Sequence, residues 1–492
     1  MKTETMNHSG RRGPRVTATY QDTGIHRYQH NPLIEALPKI STDGEIMRQL
    51  SKLPAYKAAE RTLPKEIRLQ LIQTLRDVFI PLPVTVDLHH RFSAMIANGY
   101  VAKNPLARGY WPEQDAKIKT LVTDVAENRS AQANASGMAI FGIPGAGKST
   151  TVENILSSYP QVITHSAYAG QPMPLTQLVY LKLDCPHDGS AKGLCLQFFQ
   201  AVDAIVGTHY AQSYTSKRST VYDLLGAMAR VASMHQLGVL VIDEIQQLEQ
   251  AKSGGKRLML NFFCQLMNTI GLPVVLVGTY EAQAVLNDEF RQIRRNCGNG
   301  DLVWDKMQND EWWKYFVECL WRYQYTQKIT PCAPELLEAL YDASQGVADF
   351  CVKIYIAAQD RAIRTGIEEV TPDIIHSVYR DKFRSAHVAM RALKSQDASA
   401  LNQFHDLQAM NSLGTATALY TKPNMQPANP LKQPAAPRSR TATSNPSGNK
   451  PQPTGLMAAA VESLKSKTDV YGPLKDAGFI ANPANYLQEA DL

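Results

Sequence analysis

The sequence predicts an α/β fold: a parallel sheet with helices on both faces, an N-terminal helical subdomain before it, and a C-terminal helical lid and disordered tail after it. Three observations predict it. Between residues 137 and 380, short and almost continuously apolar runs alternate with longer helical patterns, as expected of parallel strands covered on both faces. Upstream, residues 65–79 place Ile67, Leu69, Leu71, Ile72, Leu75 and Val78 at helical spacing, with Pro81 and Pro83 as the stop. Downstream, eight prolines fall between residues 422 and 455 among Asn, Gln, Ser and Ala, a composition too poor in apolar surface to offset its ordering entropy.

Taken in order, Lys2, Arg11, Arg12 and Arg15 mark residues 1–27 as a basic flexible arm. Residues 28–130 form the helical subdomain and 131–330 the core. Its strands are expected at residues 138–141, 178–183, 239–242 and 274–277, with a weaker fifth at 302–304. Residues 331–400 form the lid, with helices at 334–341, 347–365 and 371–384, the last opened by Thr371-Pro372. A linker, residues 401–455, then leads to residues 456–492, which regain apolar and aromatic side chains (Leu456, Met457, Val461, Tyr471, Phe479, Tyr486). Such a segment on a tether suits partner docking, with a helix that folds back on its own domain as the alternative.

At 492 residues the chain is long enough for two or three such units. No apolar run approaches the ~18–20 residues of a membrane span, which predicts a soluble, intracellular protein. Seven scattered cysteines without a C-x-x-C pair argue against a disulfide framework or a zinc knuckle. A formal charge of +6 permits nucleic-acid binding without requiring it.

Gly142-Ile-Pro144-Gly145-Ala146-Gly147-Lys148-Ser149, followed by Thr150, matches the phosphate-binding loop G-x-x-x-x-G-K-[ST] at every fixed position. A strand enters it and a helix leaves it, so backbone N–H groups and the helix N-terminus can cradle phosphates. Lys148 would reach the β- and γ-phosphates of ATP, and Ser149 would ligate Mg²⁺. A second apolar strand ends in Asp243-Glu244, where Asp243 would hold the metal and Glu244 would polarise the attacking water. A third ends in Gly278-Thr279, which places the Thr279 hydroxyl near the γ-phosphate, a sensor-one position in the AAA+ class of P-loop NTPases. Farther on, Arg291-Gln-Ile-Arg294-Arg295 stands where such proteins place an arginine finger, with Arg294 and Arg295 as candidates; a solvated basic face is the alternative.

With these motifs stand three others: Tyr28-Gln-His-Asn31-Pro32-Leu33-Ile34-Glu35-Ala36-Leu37-Pro38, Leu183-Asp184-Cys185-Pro186-His187-Asp188-Gly189-Ser190, and Leu320-Trp321-Arg322-Tyr323-Gln324-Tyr325. Over residues 28–383 the chain resembles the TnsC/TniB-type AAA+ regulators of Tn-seven-like DNA transposition. It departs from many AAA+ proteins in the lid, where Gly346-Val-Ala-Asp349-Phe-Cys-Val-Lys353 lacks a sensor-two arginine, leaving Lys353 or Asp349 as substitutes.

The resemblance implies an ATPase that assembles on duplex DNA as a ring or filament of hexameric or heptameric kind. It would link a target-selection protein (TnsD/TniQ type) to transposase subunits (TnsA/TnsB type), with hydrolysis driving disassembly. It further implies a bacterial, cytoplasmic, nucleoid-associated protein, and DNA contacts at Ser190, Lys192, Lys217 and Arg218 that bind phosphates without reading sequence. The runner-up reading is an AAA+ replication initiator or helicase loader. A small-molecule kinase fits less well, because of the strand-ending Asp-Glu, the sensor strand and the lid. His89, His90 and His187 lack the spacing of a metal site.

Overall fold

The computed structural model describes residues 13–127, 137–214, 219–251, 254–282 and 301–395, the side chains of 122–127 aside. The chain divides into Met1–Ala409 and Met410–Leu492, and every described residue belongs to the first unit. The linker and C-terminal segment therefore lie outside the described residues.

Eight strands are described: β1 (Arg15–Thr17), β2 (Met138–Gly142), β3 (Val162–Tyr168), β4 (Gln171–Leu178), β5 (Tyr180–Asp184), β6 (Val239–Asp243), β7 (Val274–Gly278) and β8 (Asp301–Trp304). Five of them form an all-parallel sheet in the order β5-β6-β7-β2-β8. β7, which leads to Thr279, thus lies between the strand entering the phosphate loop and the strand ending in Asp-Glu.

The helices are α1 (Pro32–Glu35), α2 (Asp43–Leu50), α3 (Lys65–Leu71), α4 (Pro83–Val101), α5 (Tyr110–Glu127), α6 (Lys148–Ser157), α7 (Ala191–Val206), α8 (Tyr210–Tyr214), α9 (Val221–Met234) and α10 (Gly255–Thr269). After the sheet come α11 (Glu311–Trp321), α12 (Pro334–Ser344), α13 (Ala348–Thr365), α14 (Pro372–Lys382) and α15 (His387–Ser395). Because strand side chains alternate, each central strand feeds two cores. Ala139, Phe141, Leu240, Ile242, Val274 and Leu276 meet α5, α7, α9 and α10. Their neighbours Met138, Ile140, Val239, Val241, Val275 and Val277 meet α4 and α6. Double coverage is the reason these strands read as unbroken apolar runs.

Three features depart from expectation. The single strand expected at residues 178–183 is two, because the run changes partners at Val179: β4 belongs to a second sheet, of order β1-β3-β4, and β5 to the central one. The β3–β4 hairpin itself was hidden by Pro172 and Pro174, which argue against a central strand; β4 is an edge strand, where proline is tolerated. Its two-residue turn, Ala169-Gly170, has φ of 47° and 80°, the left-handed pair that a tight hairpin requires. Finally, the expected basic arm is not free beyond residue 12, since β1 pairs in parallel with β3, Arg15 opposite Val162. Its three residues carry no periodic signal, and only the hairpin edge makes a strand of them.

The N-terminal helical region divides between the two faces. Leu33, Ile34 and Leu37 pack with α4, and Asn31 ties the segment down by donating to the Tyr100 and Lys103 carbonyls at 2.9 and 3.0 Å. Residues 56–80 instead pack on the lid side. There Arg68, 2% exposed, forms two hydrogen bonds to Glu368 at 2.7 and 2.8 Å and donates a third to the Tyr325 carbonyl. That charge holds the Glu368 carboxyl below its ordinary value. The Trp321–Tyr325 motif closes the junction: the Trp321 indole donates to the Thr330 carbonyl, and Gln359 brackets Tyr323 and Tyr325.

Candidate nucleotide site

The loop between β2 and α6 takes its shape from its glycines. Gly145 and Gly147 have φ of 75° and 99°, which other residues reach only with strain. At Gly142 a Cβ would stand 1.7 Å from the Trp304 carbonyl oxygen, so any side chain there would separate β2 from β8. Lys148, 8% exposed at the first turn of α6, donates to the Gly142 and Ile143 carbonyls at 2.8 and 2.9 Å. Its ammonium is thus held over the loop. Ser149 is half-buried beside it, while Pro144, Gly145 and Thr150 are exposed.

Asp243, 3% exposed, ends β6 with both oxygens engaged. One accepts the Glu244 N–H at 2.9 Å, and the other stands 3.0 Å from the Lys182 ammonium on β5. Lys182 also reaches Glu153 at 3.0 Å and Asp184 at 3.4 Å. Burial alone would lower this ammonium, but Asp243, Glu153 and Asp184 outweigh it and keep Lys182 charged above its ordinary range. Glu244 sits at φ 56°, ψ 38°, a left-handed conformation that costs a non-glycine residue on the order of 1 kcal/mol. Its carboxylate accepts from the Gln246 amide. Nearby, burial and then the charges of Asp188 and Glu244 push the Cys185 thiol up to about 12.

Thr279, 8% exposed, follows β7. Its Oγ1 is buried without a hydrogen-bond partner among the described residues. Leaving a buried hydroxyl unsatisfied costs roughly 1–3 kcal/mol, so this atom calls for a partner outside the described residues. A nucleotide phosphate or its water fits that requirement.

The lid touches the loop directly. Asp349, at the start of α13, donates its N–H to the Gly145 carbonyl at 3.2 Å, and the Trp304 indole donates to the Ala146 carbonyl at 2.9 Å. Asp349 pairs with Lys353 one turn on, so the two residues that stand where the lid lacks an arginine are bound to each other beside the loop.

Other sequence-derived candidates fare differently. Ser190 caps α7, its hydroxyl accepting the Gly193 N–H at 3.2 Å, a local role that leaves its DNA contact without structural support. Lys192 is exposed on the same helix. Lys217, Arg218, Arg291, Arg294 and Arg295 lie outside the described residues. No group of three metal-binding side chains occurs among the described residues. His89 stacks on Tyr159 and is lowered to about 4 by burial, with His90 adding to it; His90 pairs with Asp43. No described helix is long and apolar enough to cross a membrane. Two participants escaped the sequence reading, Lys182 and Gln246. A lone lysine inside the apolar run Leu181-Lys182-Leu183 was a signal for the first; nothing local marked the second.

A family model described as an AAA domain matches residues 131–286. No curated protein matches the chain. Among solved structures, the chain is similar to the Aeropyrum pernix ORC1 protein in complex with DNA, at 15% identity over 60% of this chain and 72% of that one, TM-score 0.36. It is also similar to the Aeropyrum pernix ORC2 protein in ADPNP–ADP complexes, at 14% identity over 66% and 83%, TM-score 0.34. A third likeness is to Drosophila ORC bound to DNA, at 15% identity over 69% and 70%, TM-score 0.36. Strand order, phosphate loop and domain match together define an AAA+ P-loop fold carrying a nucleotide site of the ATPase class.

Proposed function

We propose that the protein is an ATP-hydrolysing AAA+ switch that assembles as a homo-oligomer on duplex DNA and regulates DNA transposition, linking a target-selection protein to transposase subunits. The observation that carries the ATPase reading is the convergence at one end of the sheet of Lys148, Asp243, Glu244 and a Thr279 hydroxyl with no partner among the described residues. Lys148 and the loop N–H groups would neutralise the β- and γ-phosphates; Ser149 and Asp243 would hold Mg²⁺. Water attacks the γ-phosphorus, the bond to the β–γ bridging oxygen breaks, and Glu244 accepts the water's proton while Thr279 orients it. Arg294 or Arg295 of a neighbouring subunit would stabilise the transferring group.

The transposition reading rests on the resemblance at residues 28–38, 183–190 and 320–325. In this reading Lys192, Lys217 and Arg218 bind DNA phosphates, and residues 456–492 dock a transposase subunit on their tether. An AAA+ replication initiator or helicase loader is the second reading, since its nucleotide site would be built alike.

Glu244→Gln tests the proposal. The variant is expected to bind ATP, to lose turnover by roughly 10²–10³-fold, and to remain as rings or filaments on duplex DNA of arbitrary sequence under electron microscopy. Wild-type assemblies should disperse as ATP is consumed. Unchanged turnover would remove Glu244 as the base, and monomers under every condition would end the oligomer reading. Trapped assemblies that retain a replicative helicase and not a transposase would decide for the second reading.

A further inference from the structure

We infer that Gln246 is a positioning residue for ATP hydrolysis, a single amide that ties the water-polarising carboxylate of Glu244 to the backbone of the sensor strand at Thr279. The inference rests on the proposed role of Glu244.

Three independent features of the structure meet at this side chain. The first is its pair of hydrogen bonds. Gln246 Nε2 donates to Glu244 Oε2, and Gln246 Oε1 accepts the Thr279 N–H at 3.3 Å. The two ends of one amide therefore engage the two groups that would flank the attacking water, from elements 33 residues apart. A neutral amide is the side chain suited to this, because it offers a donor to the carboxylate and an acceptor to the N–H in one plane. Glutamate at 246 would lose the donor, and leucine would lose both.

The second feature is the glycine before Thr279. A Cβ on Gly278 would lie 2.8 Å from Gln246 Oε1, and equally close to Ile245 Cγ2 and Ala282 Cβ. The sensor strand thus ends in a residue without a side chain where the glutamine must pass. Gly278 does not have a positive φ, so its requirement is for space and not for backbone conformation.

The third is the backbone of Glu244. Its left-handed turn immediately after β6 directs the chain into the short 3₁₀ helix Ile245–Gln250, on which Gln246 faces the sensor strand. The strain of that conformation is sustained only where surrounding contacts hold it, and the Glu244–Gln246–Thr279 chain is one such set. A base fixed only by its own rotamers would lose orientation each time the side chain turned; one fixed through Gln246 moves with the strand that also carries the orphaned Thr279 hydroxyl.

Steady-state ATPase kinetics of the full-length protein with Gln246→Leu and Gln246→Glu test this, with Glu244→Gln run alongside. Expected for both Gln246 variants is a loss of kcat of about tenfold or more, with KM for ATP within about threefold of wild type. In the Glu244→Gln background, Gln246→Leu should change the residual rate by less than about twofold, because the carboxylate it positions is gone. If Glu244→Gln abolishes turnover while Gln246→Leu leaves kcat within about twofold of wild type, Gln246 positions nothing. Equal additional loss in the Glu244→Gln background would also overturn the inference. Should Glu244→Gln itself turn over normally, the fault would lie in the assignment of the base.

Discussion

The two ends of the central sheet are built from similar groups and treat them in opposite ways. At the end where β6 and β7 emerge, Thr279 Oγ1 is buried with no partner among the described residues, and Lys148 rests on loop carbonyls. At the end where the same strands begin, the polar groups close on one another. Tyr100 donates to the Gln236 carbonyl at 2.9 Å, Tyr110 to Gln236 Oε1 at 2.8 Å, and Gln236 Nε2 to the Ser233 carbonyl at 2.8 Å. Each end also holds a lysine withdrawn from solvent, half-buried Lys182 at the first and buried Lys103 at the second. Lys182 is kept charged by three carboxylates, whereas Lys103, whose ammonium donates to the Leu237 carbonyl at 3.2 Å with no carboxylate in reach among the described residues, is lowered by burial to about 7. The contrast is local to these two ends, since buried polar atoms without a partner among the described residues also occur at His89, Trp313 and Thr330.

The largest effect that sharpens this contrast is at Lys148. Lys148→Ala should weaken ATP binding by about a hundredfold or more, read by calorimetric titration, with little change in thermal midpoint of the nucleotide-free protein. Equal loss of stability would make Lys148 a structural residue. Next, two hydroxyl deletions of nearly unchanged shape should part company. Thr279→Val should lower kcat roughly 10–100-fold and leave stability unchanged or slightly raised, because no hydrogen bond to a described residue is lost. Tyr110→Phe should cost about 1 kcal/mol of stability in denaturant unfolding and leave kcat alone.

The smallest effect is expected at Lys103. Its folded pKa, about 7, lies below its unfolded value of 10.5, so the unfolded chain binds more protons between those limits. Stability should therefore rise with pH across that window and be flat below it. Lys103→Met removes the penalty: it should raise the thermal midpoint at pH 7 and erase most of the slope up to pH 10. A variant less stable than wild type at pH 7 would show that the Leu237 contact outweighs the cost of burial.

What was legible follows the range of the contacts involved. The phosphate loop, Asp243-Glu244 and Thr279 each sit at the end of a short apolar run, so strand, turn and chemistry are all written within about ten residues. The lid helices begin at Pro334 and Pro372, which announce their own first turns. The β3–β4 hairpin was concealed because its prolines are acceptable only at an edge, and being an edge is a property of the assembled sheet. Residues 28–38 and 320–325 stood out as motifs, yet their work, bracing α4 and receiving Tyr56 and Arg68 on the lid side, depends on partners up to 268 residues away.

By itself the sequence determined the class of fold and singled out the candidate residues for phosphate, metal and water, since each depends on local spacing and on the hydrophobicity of one strand. Only the tertiary structure decided that β7 lies between β2 and β6, that Lys182 neutralises Asp243, and that Gln246 joins Glu244 to Thr279. Those relations arise where strand order brings distant residues within hydrogen-bond range, and no periodicity along a single chain encodes which strand becomes the neighbour of which.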